Sequence, residues 1–130
     1  MQRLFYTLTL FSLFFAVGCG DAVVVKGTAK MADGTSIESG MVNFHGETDQ
    51  YRAAITNGTF SPGRLKDGDG IPAGVYRISV GATHEVEQPG SDYPVSVSLI
   101  HSKYADPSTS ELSIDTSKQK TLDLVLEPAE

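Results

Sequence analysis

"GVYRISVGA", residues 74–82, places Tyr76, Ile78 and Val80 on one side of an extended chain and Val75, Arg77 and Ser79 on the other. A period of two with large apolar residues on one side is the pattern of a half-buried β-strand. The same alternation recurs along the chain. "AVVVKGTAK" (22–30) reads as a first strand, and "GMVNFHG" (40–46) offers Val42 and Phe44 to one face. "YRAAITNGTF" (51–60) contains Asn57-Gly58, a tight-turn signal, and so reads as a hairpin. "YPVSVSLI" (93–100) sets Val95, Val97 and Leu99 against Ser96 and Ser98. "ELSID" (111–115) gives Leu112 and Ile114, and "TLDLVLE" (121–127) places Leu122, Leu124 and Leu126 on one face.

No helical period is evident after residue 18, where Gly, Pro, Ser and Thr are frequent. The expectation is an all-β domain over residues 23–127, an Ig-like or transthyretin-like β-sandwich of about seven strands. Its core should include Phe44, Tyr76, Ile78, Leu122 and Leu124. Lys26, Lys30, Lys118 and Lys120 stand near the first and last strands, where charge would protect sheet edges. Three polar stretches read as long loops: 61–73, 83–94 and 101–110. Loops of such length in a small domain are often functional.

The segment before the domain has a different character. Arg3 precedes an uncharged apolar run from Leu4 to Val17, and Gly18 then precedes Cys19, the chain's single cysteine. Positive end, apolar run and small residue at a cut site are the order of a signal peptide, here 1–18. A helix of about 15 residues would cover roughly 22 Å, short of the roughly 30 Å hydrocarbon core of a bilayer. "Ala16-Val17-Gly18-Cys19" resembles the lipobox of bacterial lipoproteins, although Leu is the usual residue where Ala16 stands. The resemblance implies acylation of the Cys19 thiol and cleavage before it, leaving 19–22 as a short tether. The plainer alternative is an ordinary signal peptide cut near Gly18 or Gly20. The full chain carries a formal charge of −6, and loss of Arg3 leaves it more acidic. That balance disfavours nucleic acid and an anionic membrane surface as partners.

Four stretches of the body resemble small bacterial lipoproteins with a carboxypeptidase-regulatory-like, transthyretin-like domain. They are "VKGTAKMADGTSIESGMVNF" (25–44), "AAITNGTF" (53–60), "IPAGVYRISV" (71–80) and "KYADPSTSELSIDT" (103–116). The resemblance implies a fold and an envelope address on the periplasmic face or the cell surface. It implies no catalytic residues, because "carboxypeptidase" refers to a separate catalytic domain beside which such domains occur.

The residues themselves point the same way. His84 and Glu87 fit H-x-x-E and His101 follows, but the spacing is not that of a zinc peptidase, and a small β domain cannot build its catalytic fold. No G-x-S-x-G elbow or phosphate-binding loop is present. Asp67 and Asp69, in "KDGDG", are weak calcium candidates, since the twelfth residue from Asp67 is Ile78, which offers no ligand. Tyr93 and Tyr104 are the candidate anchors of an interaction surface. The functional expectation is a non-enzymatic, lipid-anchored envelope protein without a cofactor. Its role is structural or in contacts with an envelope protein or polysaccharide. The alternative is a carbohydrate- or calcium-binding module that uses its long loops.

Overall fold

Asn57 and Gly58 both adopt positive φ, 50° and 78°, the backbone that a two-residue hairpin turn requires. In the computed structural model, which describes residues 22–129, this turn joins β3 (Gln50–Thr56) to β4 (Thr59–Phe60). The other strands are β1 (Lys26–Met31), β2 (Ser39–His45), β5 (Val75–Gly81), β6 (Thr83–Val86), β7 (Val95–Ser98), β8 (Leu112–Asp115) and β9 (Thr121–Leu126). A short 3₁₀ turn, Ser102–Ala105, is the sole helical element among the described residues. The predicted signal peptide, 1–18, and Cys19 lie outside them.

Seven strands form one mixed, nearly closed sheet in the order β8-β5-β2-β3-β4-β1-β9. All neighbours are antiparallel except β1 and β9, which pair in parallel from Lys26↔Thr121 to Met31↔Leu126. The first and last strands thus close the domain on each other. The link through β4 is narrow: it pairs with β3 at Thr56↔Thr59 and with β1 at two positions.

The concave face carries the core. Phe44 is 0% exposed, with its ring 6.2 Å from those of Phe60 and Tyr76. Ile78, Leu122 and Leu124 are buried with it, as the alternation requires. Gly27 faces the Phe60 ring, and a Cβ there would lie 2.1 Å from Cζ of Phe60. No larger residue fits without displacing the ring.

Strand directions divide the molecule into two ends. β1, β3, β5 and β9 run one way, and β2, β4 and β8 the other. The near end holds residues 22–25, the turns 46–49 and 116–120, and the loop 61–74. The far end holds the turn 32–38, the Asn57-Gly58 turn, the excursion 82–111 and residues 127–129.

Several expectations need correction. The first strand begins at Lys26, and Val23 instead makes a single bridge to Ile71. Lys26 and Lys30 lie on β1, inside the sheet, so they guard no edge; Lys118 and Lys120 do lead into the edge strand β9. The stretch 83–94 is not all loop, because Thr83–Val86 pairs with Val95–Ser98 as a separate two-stranded sheet.

Candidate interaction surface

The period of two that buries Tyr76, Ile78, Val80 and Ala82 does not stop where the large sheet stops. It continues through His84 and Val86, which are exposed. In β6 and β7 the pairs are Thr83↔Ser98, His84↔Val97, Glu85↔Ser96 and Val86↔Val95. Paired residues, and residues two apart, share a face. His84, Val86, Val95 and Val97 therefore form one face of the hairpin, and Thr83, Glu85, Ser96 and Ser98 the other. The apolar face extends the core surface outward from Ala82 and Leu99, whose backbones are joined by a 2.8 Å bond from Leu99 N–H to Ala82 O.

This arm, residues 83–98, stands at the far end. Every residue in it is exposed, and both outer edges of its two strands lie outside the seven-stranded sheet. Val86, Val95 and Val97 are among the exposed large apolar residues. At its base a groove of about 280 Å³ runs between His84 and Leu99 on one side and Met31 and Ile37 on the other. Tyr93 lies in the connection between the two strands and is 79% exposed.

The other candidate anchor is placed differently. Tyr104 is 4% exposed, on the 3₁₀ turn, which packs against β5. Its hydroxyl accepts the Glu127 N–H at 3.0 Å, and Lys103 pairs with Glu127 at 3.0 Å beside it. The ammonium of Lys103 is held above its usual range, first by its hydrogen bond to Glu127. Tyr104 thus lies in the core while Tyr93 is exposed on the arm, so the structure does not bring the two expected anchors together.

The loop 61–73 is tied down by its own polar groups. Asp67 Oδ2 accepts the Ala54 N–H at 2.9 Å. That donor lies on β3 beyond the end of the short β4, so the carboxylate serves as the missing strand partner. Ser61 Oγ donates to Val25 O at 2.6 Å, and Pro62 and Ile71 are buried beneath the loop. Gly63 is required here, because a Cβ would lie 1.7 Å from Lys66 O. Asp69 is exposed. Among the described residues no group of three or more His, Cys, Asp and Glu is placed to hold a metal ion, and His84, Glu87 and His101 form none.

Two further depressions lie away from the arm, besides one of about 440 Å³ on it that is lined by Glu85, Glu87 and Tyr93. One at the near end, about 350 Å³, lies between the 46–49 turn and Pro72–Tyr76. The Tyr76 hydroxyl donates to Pro72 O at 2.6 Å, and its pKa is raised, first by burial and then by Tyr51 and Asp49. The Tyr51 ring packs edge-on to Tyr76, 6.0 Å away. The other, about 610 Å³, lies on the outer face where β4 ends, and is lined by Thr28, Thr56, Thr59, Thr121 and Asp123. Thr28 donates to Asp123 there at 2.8 Å. Its one aromatic, Phe60, is buried, so it offers no open ring for sugar stacking. Compared with known proteins, the chain matches no family model, no curated protein and no solved structure.

Proposed function

We propose that the chain is a non-enzymatic protein of a bacterial envelope, held on a membrane by acyl groups on Cys19, and that it works through protein contacts made by the 83–98 arm. The anchoring part rests on the lipobox-like run before Cys19. The contact part rests on one observation: the apolar face of the arm extends from the core into solvent, and none of the described residues covers it. A two-stranded ribbon is marginal in stability on its own. A partner lying on Val86, Val95 and Val97 would bury that face and order the ribbon.

In this reading the fold is a transthyretin-like sandwich. β8-β5-β2-β3 make one layer and β1-β9 the other, joined through the two-residue β4. The resemblance of residues 25–116 to the carboxypeptidase-regulatory-like group is part of the same proposal. The loop-based alternative, a calcium or carbohydrate module, has less in its favour. Asp67 already serves a backbone donor, and Tyr104 lies in the core.

Val97→Lys in the full chain is the direct test. It places a charge in the middle of the apolar face, at a position that the domain core does not use. Association with the arm's envelope partner, measured by co-purification, should weaken by about tenfold or more, the equivalent of about 1.4 kcal/mol. The unfolding free energy should stay within about 0.5 kcal/mol of the parent, as for ordinary surface positions. A loss of stability above about 2 kcal/mol would make the arm valines structural, and association at parental strength would remove the arm as the working surface.

A further inference from the structure

Leu65 is 95% exposed, the most exposed of the large apolar side chains named in the domain. It sits between Arg64 and Lys66, both also exposed, at the tip of the 61–73 loop. Such a triplet, apolar centre with flanking cations, suits a lipid headgroup layer: the apolar group enters the acyl boundary and the cations meet phosphates. Where the loop lies decides whether it can reach one.

It lies where the chain enters the domain. Val23 bridges Ile71 through reciprocal backbone bonds of 2.7 and 3.0 Å, and Gly70 packs against Ala22. Cys19 precedes Ala22 by three residues. Three peptide steps reach at most about 11 Å when fully extended. If Cys19 carries acyl chains, the near end, and the loop with it, is confined to the membrane surface.

Charge differs between the two ends. Lys26, Lys118 and Lys120 stand at the near end with Arg64 and Lys66. The far end carries Asp33, Glu38, Glu85, Glu87, Asp92 and Glu127. Acids occur at the near end too: Glu47, Asp49, Asp67, Asp69 and Asp115 offset the cations there, and the Ser117 hydroxyl that donates to Asp115 holds its carboxyl below the usual range and so charged. The near end is thus about neutral among the described residues, and their net negative charge lies elsewhere.

We propose that the Arg64–Lys66 tip is a second membrane contact, with Leu65 entering the headgroup–acyl boundary and Arg64 and Lys66 paired with phosphates of the leaflet that holds the Cys19 acyl chains. This rests on the anchoring reading above. Two contacts at one end orient the domain and hold the 83–98 arm away from the bilayer.

The test uses the lipidated protein in vesicles of phosphatidylcholine and phosphatidylglycerol. Acylation consumes the Cys19 thiol, so a thiol introduced by Leu65→Cys, or by Tyr93→Cys in a second sample, is the one that takes an environment-sensitive fluorophore. Flotation is measured first. The expected result is flotation of both, with a several-fold rise in emission and quenching by spin-labelled lipid at position 65, and water-like emission at position 93. Arg64→Gln with Lys66→Gln should reduce the quenching at position 65. Flotation with a water-like, unquenched label at position 65 would overturn the second contact alone. Failure to float would overturn the anchoring reading and this proposal with it.

Discussion

Phe44→Ala should lower the unfolding free energy by about 3–5 kcal/mol, the usual cost of removing a fully buried phenyl ring. The whole stability of a small domain is about 5–15 kcal/mol, so this variant should stand close to the limit of folding. The effect is large because of where Phe44 sits. It lies on β2, in the middle of the β8-β5-β2-β3 run, and its ring meets Tyr76 from β5 and Phe60 from β4. Phe60 in turn covers Gly27 of β1, whose partner is β9. One side chain therefore touches the chain of contacts that joins both sides of the sheet. The resulting cavity cannot close easily, because its walls belong to strands fixed by backbone pairing. Denaturant titration of the parent and variant measures the difference. A loss below about 1 kcal/mol would mean that the two sides of the sheet do not share this core.

Cys19→Ser should move the protein from the membrane fraction to the soluble fraction. Serine has no thiolate, and the thiolate is the nucleophile that acylation requires. More than one acyl chain on the cysteine gives stable anchoring, whereas a single chain gives only marginal binding. The expected change is therefore close to all-or-none. Fractionation of cells expressing each form, with intact mass of the parent, checks it. A parent protein with a free Cys19 thiol and no acyl mass would refute the anchor whatever the fractionation showed.

Much of the fold is legible along the chain because alternation and burial coincide over most strands. Tyr76, Ile78, Val42, Phe44, Leu122 and Leu124 alternate with polar neighbours and all point inward. Asn57-Gly58 marks a hairpin because few other pairs accept positive φ at both positions. Strand order is not legible in this way. The parallel pairing of β1 with β9 joins residues nearly a chain length apart, and no local pattern specifies it.

The arm shows the limit more clearly. Val95, Val97 and Leu99 alternate as a half-buried strand does, and Leu99 does pack on the core. The two valines share that face but lie past the end of the large sheet, and no described residue covers them. Alternation reports which face is apolar and not whether a second layer meets it. His84 and Val86 carried the complementary signal, as a continuation of the Tyr76 series, but the surrounding Glu, Gln, Pro and Gly read as loop. Tyr104 fails for a related reason. A tyrosine in polar sequence reads as exposed, yet the turn that carries Tyr104 packs against β5, and only the assembled fold brings its hydroxyl to the Glu127 N–H.

The central claim is that the exposed face of the arm is a contact surface in the envelope. A photo-reactive residue replacing Val95, with the same residue replacing Lys30 on the outer face of β1 as the comparison, tests it in intact cells. Irradiation should give a discrete adduct between this chain and an envelope protein from position 95, and none from position 30. An absence of adducts from position 95 above those from position 30, in a protein still on the membrane and still folded, would contradict the claim.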